Sequence, residues 1–244
     1  MPTGQRMGSQ AMRINSQISS QLNSTSLQTP QSASKDLRPV GEQVQQTLFT
    51  RPRPSLADAS RQAEFVVLLA ILNGYRKKLA VMAGDREDDY TIVLADDAIA
   101  AIDEHGTIYM GVAFLRGYAD NLEVLVGALA HEIGHRPKRV RALKGSIPRD
   151  LSQRELHALC LHEEIRADTF AGKALAEMGM SWEPLADFLA FVQVRPHPEY
   201  LPAPQRAQVL RDAHASRAFR ADSRRKHFPE FDRHTSPRGH LGEF

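Results

Sequence analysis

The sequence predicts a mostly helical α+β domain with a small sheet beside a central helix, and three observations carry that expectation. Apolar residues recur at helical spacing over three long stretches, 55–82, 122–137 and 152–178. Two short β-branched runs, DYTIVL and TIYMGVAFL, stand between the first and second of these. The second stretch holds HEIGH, two histidines four residues apart with a glutamate after the first.

The chain divides by composition into three parts. Residues 1–52 are rich in Ser, Gln, Asn and Thr, with only Asp36 and Glu42 as acids, so they are expected to stay disordered. That composition also resembles the N-termini of bacterial type III secreted proteins. Residues 53–220 form the expected folded domain, and 221–244 a basic, His-rich flexible tail. A net charge of +2 over 244 residues argues against nucleic acid as the main partner. Cys160 is the single cysteine, which excludes an internal disulfide and a cysteine-built zinc site. The longest apolar run, Phe65 to Leu72, is too short to cross a bilayer, and no secretory leader is evident. The expectation is a soluble, cytoplasmic protein without an integral membrane segment, the alternative being export by a leaderless route.

The elements follow in order. Ser55 is placed as the N-cap of a scaffold helix reaching about Met82. Asp89 to Leu94 is expected as a strand, 95–106 as a connection, and Thr107 to Leu115 as a second strand. Asp120 and Glu123 suggest a capping box for the apolar helix that follows, and Pro137 is placed at its end. Lys138, Arg139, Arg141 and Lys144 then make a basic loop ending near Pro148, read as solvated surface. Ser152 and Glu155 form another capping box, opening a long helix that stops at Gly179. A short helix starting at Ser181 and a last one from Gln205 to about Phe219 complete the domain.

His131 and His135 stand one above the other on one helical face, so both imidazoles can reach a single ion. Glu132 is placed to handle the proton of a water on that ion without ligating it. Leu122, Val124, Leu125, Val126, Leu129 and Ile133 make the helix apolar nearly all round, so the histidines should be buried. On the later helix, Glu164 and Asp168 lie one turn apart, flanked by small Ala167 and Ala171. That face suits a third ligand, Glu164, with Asp168 fixing the tautomer of a ligand imidazole. His157, two turns up the same face, is the rival candidate.

HEIGH preceded by LEVLVGALA, GTIYMGVAFL upstream and EEIRADTFA downstream together resemble the HtpX-like and CAAX prenyl protease family of zinc metallopeptidases. Ala130, His131, Glu132, His135, Glu164, Ala167 and Asp168 fall in register, and the likeness spans about Asp89 to Arg211. The resemblance implies a zincin-like, gluzincin fold and an endopeptidase holding one zinc ion per chain through His131, His135 and Glu164. It implies Glu132 as the general base, a protein or peptide substrate, and a sheet edge that binds peptide by strand addition. His197, Tyr200 and Arg206 fall where it places the cleft wall, making them candidates, with Asp168, for supporting the ligands or the oxyanion. Members are commonly membrane-anchored, and no such segment is evident here. The competing expectation is an inactive or latent protein of the same fold, using the cleft to bind a protein partner.

Overall fold

The helix that carries HEIGH runs through the middle of the molecule, and the other elements are best placed relative to it. A computed structural model describes residues 53–58, 60–146 and 152–227; the expectations for residues 1–52, for the loop end near Pro148 and for the tail past His227 lie outside the described residues. In chain order the elements are α1 (Ser60–Glu64), α2 (Val66–Met82), β1 (Thr91–Ala95), β2 (Ala100–Ile102), β3 (Thr107–Gly111), α3 (Val112–Gly117), α4 (Leu122–Gly134), α5 (Pro137–Ser146), α6 (Gln153–Glu177), α7 (Glu183–Val192) and α8 (Ala203–His227). The architecture is the expected one in outline, mostly helical with one small sheet.

Sheet order is β1-β3-β2, with β1 parallel to β3 (Thr91 opposite Thr107) and β2 antiparallel to it (Ala100 opposite Met110). Strand β2 lies inside the stretch expected to be a connection. Three apolar residues between turns carry no alternation, and only their pairing with Ile108–Met110 makes them a strand. The second expected strand is shorter than foreseen, because Val112 to Leu115 belong to α3. A side chain at Gly111 would meet the Ala98 carbonyl oxygen at 1.7 Å, so the β1–β2 connection crosses over this glycine. Pairing ends there, and the chain turns to bury Val112, Phe114 and Leu115 as a helix.

The first expected helix begins later than Ser55 and is broken. Ser55 bonds through its backbone N–H to Asp97 at 2.8 Å, and Leu56 bridges Ala95, so this segment runs along the edge of β1. Asp58 accepts from the Ser60 N–H at 2.8 Å, and buried Phe65 separates α1 from α2. Leu72 and Leu79 of α2 are fully buried against the core that α4 also enters. Arg76 is buried too; its Nη1 donates to the Glu87 and Tyr90 carbonyls, fastening α2 to the start of β1.

Helix α4 is capped by Asn121, whose side chain accepts from the Val124 N–H at 3.2 Å, one residue past the expected Asp120. Every residue from Val124 to Gly134 except His131 is buried. Full burial of a side chain such as Leu125 or Leu129 contributes about 1.5–3 kcal/mol. Pro137 does not simply stop the helix. Arg136 adopts φ 51°, and Pro137 opens α5, where a residue without an N–H leaves no bond unmade. The expected basic loop is therefore helical, and three of its cations are bound to the body. Lys138 meets Asp85 and Asp89, Arg139 meets Glu163, and Arg141 donates to the Glu104 carbonyl.

The Ser152–Glu155 capping box opens α6 as expected, and Gly179 at φ +69° ends it, the Met180 N–H returning to the Leu175 carbonyl at 2.9 Å. Helix α8 continues beyond Phe219 to His227. Close helix contacts fall at small residues. A side chain at Gly134 would lie 2.9 Å from the Ala167 Cα, and one at Gly172 would lie 2.5 Å from the Leu210 carbonyl oxygen. These two glycines let α6 approach α4 on one side and α8 on the other. No helix among the described residues is long and apolar enough to cross a membrane.

Candidate metal centre

The contact between Gly134 of α4 and Ala167 of α6 brings the HEIGH face against the face carrying Glu164 and Asp168. One donor atom each from His131, His135 and Glu164 lies within 4.8 Å of the others. The two imidazole rings stand edge to face, with centroids 4.9 Å apart and planes at 89°. His131 Nε2 approaches Glu164 Oε2 to 3.1 Å, and His135 Nε2 approaches Glu164 Oε1 to 3.8 Å. Neither approach has hydrogen-bond alignment: both Glu164 oxygens and both His135 ring nitrogens are buried without such a partner. Three donor groups thus come together, with most of their polar atoms unmet by hydrogen bonds. Buried polar atoms left in this state are costly unless something joins them.

Behind the donors lies a fully buried chain of charge. Asp168 Oδ1 is 2.9 Å from His131 Nδ1, and Arg206 of α8 donates to both Asp168 oxygens, Nε to Oδ2 and Nη2 to Oδ1, at 2.8 Å each. With Nδ1 bonded to Asp168, His131 keeps Nε2 for the convergence point. Burial opposes the ionised form of Asp168, but Arg206 outweighs it and holds the carboxyl well below the usual range. Burial alone would also discharge His131, yet Asp168 and Glu164 raise it to about 10. His135 has no such carboxylate on its ring, and burial drives it down to about 4 against the pull of Glu164. For Glu164 the burial cost is again outweighed, here by the nearby His135 and His131, and its pKa falls.

The remaining candidates take varied positions. Glu132 is buried at 3 % exposure, one residue from the first donor. His157 does not join the donor group among the described residues; its Nε2 accepts from Gln153 at 2.7 Å on the exposed side of α6. His197, in the loop between α7 and α8, accepts the Glu199 N–H on Nδ1 at 3.3 Å, and its ring packs edge-on against Tyr200 with centroids 5.5 Å apart. Arg206 is engaged with Asp168, and its guanidinium carbon lies 5.1 Å from the centre of the Tyr200 ring. Sequence reasoning missed the brace at the other end of α4. Arg139 Nη1 donates to buried Glu163 at 2.5 Å, and Nη2 donates to the His135 carbonyl at 3.2 Å. A basic residue four positions past the second histidine and an acid next to Glu164 were visible, but their pairing depends on α5 being a helix.

Two imidazoles and one carboxylate, with no thiolate in the group, are a donor set of the kind that zinc and other divalent metals take, three protein groups out of the four that zinc commonly uses. No known protein family, no curated protein and no solved structure matches this chain.

Proposed function

We propose that the protein is a zinc-dependent endopeptidase of the HtpX-like type, in which His131, His135 and Glu164 hold the metal and Glu132 is the general base. The observation that carries this reading is the convergence within 4.8 Å of three donor groups, His135 and Glu164 buried and His131 half-buried, beside a glutamate on the same helix as two of them. Zinc in such a site acidifies water to a pKa of about 7 and polarises a carbonyl.

This chain's residues divide the work. The carboxylate of Glu132 takes a proton from the attacking water and delivers it to the leaving amine nitrogen. Asp168, fixed by Arg206, keeps the proton of His131 on Nδ1 so that Nε2 stays available as a ligand. Strand β2 packs against α4, and β3 is its only strand partner among the described residues. Its outer edge can bind an extended peptide through backbone hydrogen bonds, giving affinity independent of side chains.

Purified protein should contain about one zinc per chain by elemental analysis and cleave unfolded casein. Glu132→Gln should retain the metal while cleavage falls by roughly 10²-fold or more. Equal cleavage by both proteins would refute the role of Glu132. A protein that binds no zinc at micromolar concentration would refute the metallopeptidase reading.

A further inference from the structure

The peptidase reading requires a donor for the oxygen that becomes negative when the carbonyl is attacked. Two buried donors behind the metal centre have no hydrogen-bond partner among the described residues, Arg206 Nη1 and the Tyr200 hydroxyl, and only the second belongs to a side chain with no other polar commitment. Tyr200 is 4 % exposed, and its hydroxyl is buried without a hydrogen-bond partner. Buried hydroxyls are nearly always bonded, so an unmet one on a ring packed against Arg206, which braces Asp168 and through it His131, suggests a place where a ligand completes the set. The ring is firmly held, edge-on to His197 on one side and near the Arg206 guanidinium on another. Through Arg206 it connects to Asp168 and so to His131, which ties the phenol to the same framework as the metal ligands.

The other two cleft-wall candidates are partly committed elsewhere. Arg206 directs Nε and Nη2 at Asp168, leaving Nη1 unmet on a cation that is already paired, and His197 uses Nδ1 to accept from the Glu199 backbone. Burial, and after it the charge of Glu164, raises the Tyr200 pKa well above the ordinary phenol value, with Glu132 among the other charges that bear on it. Even the ordinary phenol value near 10 leaves the hydroxyl protonated at neutral pH.

We propose that the Tyr200 hydroxyl is the hydrogen-bond donor for a tetrahedral oxyanion formed at the His131–His135–Glu164 centre. This rests on the peptidase reading for its biological use, though the donor itself can be tested without turnover. In the reaction, the water oxygen bonds to the carbonyl carbon and the C=O π electrons move onto oxygen. Tyr200 donates to that oxygen and keeps its proton. When the electrons return, the C–N bond breaks, and the nitrogen receives the proton carried by Glu132. A donor placed for the tetrahedral state, more than for the planar carbonyl, stabilises what forms in the transition state and so appears in kcat more than in KM.

The test is Tyr200→Phe, which keeps the ring and its contacts with His197 and Arg206. Kinetics on a peptide substrate should show kcat reduced about 10²-fold with KM within about twofold, and an unchanged zinc content. Calorimetric titration of the zinc-loaded protein with a phosphinate peptide, a stable mimic of the tetrahedral state, should show affinity weakened by a similar factor. A kcat within about threefold of wild type, or equal phosphinate affinity in both proteins, would overturn the proposal. If wild type cleaves nothing but binds the phosphinate more tightly than Tyr200→Phe, the oxyanion site stands and the peptidase reading fails. A zinc-loaded wild type that does not bind the phosphinate overturns the assignment of Tyr200.

Discussion

The two ends of the HEIGH motif are held by ion pairs of very different kinds. At His131 the brace is internal: Asp168 and Arg206 are 1 % and 2 % exposed in their side chains, and the acid bonds directly to the ring. At His135 the brace is peripheral. Arg139, a quarter exposed, bonds to the backbone carbonyl and to Glu163, while Arg136 and Lys138, 42 % and 58 % exposed, lean on Asp85. The inner brace acts on the proton of the His131 ring, and the outer one acts on where a helix stops. Electrostatics between buried groups is screened little, so the first can set chemistry as well as position, whereas solvent weakens most of the second.

The largest effect should follow from breaking the inner pair. Asp168→Asn leaves the Arg206 charge buried without its counterion, and unfolding in denaturant should show a loss of about 3–5 kcal/mol. Zinc affinity should fall about 10- to 100-fold, because the amide holds the imidazole less firmly. Adding Arg206→Met to Asp168→Asn should restore much of the stability and none of the affinity. Full restoration of zinc binding by the double variant would show that Asp168 serves only to neutralise Arg206.

The same contrast predicts an uneven titration of the two histidines. His131 in the metal-free protein has a pKa near 10, above its ordinary 6.5, so its protonated form stabilises the fold below pH 6.5 and that contribution is lost as pH rises through 10. His135, lowered to about 4, favours the neutral ring. Its contribution is present above pH 6.5 and lost as pH falls through 4. Zinc uptake near pH 6, where a zinc-bound water with a pKa of about 7 stays mostly protonated, should therefore release about one proton, from His131, measurable by calorimetry in buffers of different ionisation enthalpy. Release of two protons would mean that His135 is charged as well, and that burial does not separate the two rings.

The Asp168 half of the inner brace was legible in the sequence and the outer brace was not, for a physical reason. His131, His135, Glu164 and Asp168 sit on two helices, and the period of 3.6 residues places side chains on a face before any tertiary structure is known. The capping residues Ser152 and Gly179 are local signals of the same kind. Pairings between distant segments leave no such trace. Strand β2 exists only because Ile108–Met110 lies beside it, the segment at Ser55 and Leu56 is drawn from a helix to an edge by Asp97 and Ala95, and α5 is fastened by acids at positions 85, 89 and 163. Arg206 was visible as a cation near the site, but its bidentate grip on Asp168 depends on the approach of α8 to α6 at Gly172.

Within the outer brace the expected effects are smaller and graded. Arg139→Met removes the counterion of Glu163, whose side chain is 7 % exposed, and should cost about 1–3 kcal/mol in chemical denaturation. Zinc affinity should change by less than about threefold, since the contact is to the carbonyl of His135 and not to its ring. A drop comparable to that of Asp168→Asn would erase the distinction between the two ends.

The smallest effect is informative because its sign is in question. Arg136 occupies φ 51°, a region that disfavours side chains, at the junction where α4 stops and Pro137 starts α5. Its link to Asp85, 3.5 Å long with the arginine 42 % exposed, contributes about 0–1 kcal/mol. Arg136→Gly gives up that link and adds freedom to the unfolded chain, but it relieves about 1–2 kcal/mol of backbone strain. If solvent weakens the peripheral pairs as argued, relief should win, and thermal unfolding should show a gain of roughly 0.5 kcal/mol. A loss of more than about 1 kcal/mol would mean that the Arg136–Asp85 contact holds the end of the HEIGH helix. The outer brace would then rank with the inner one despite its exposure.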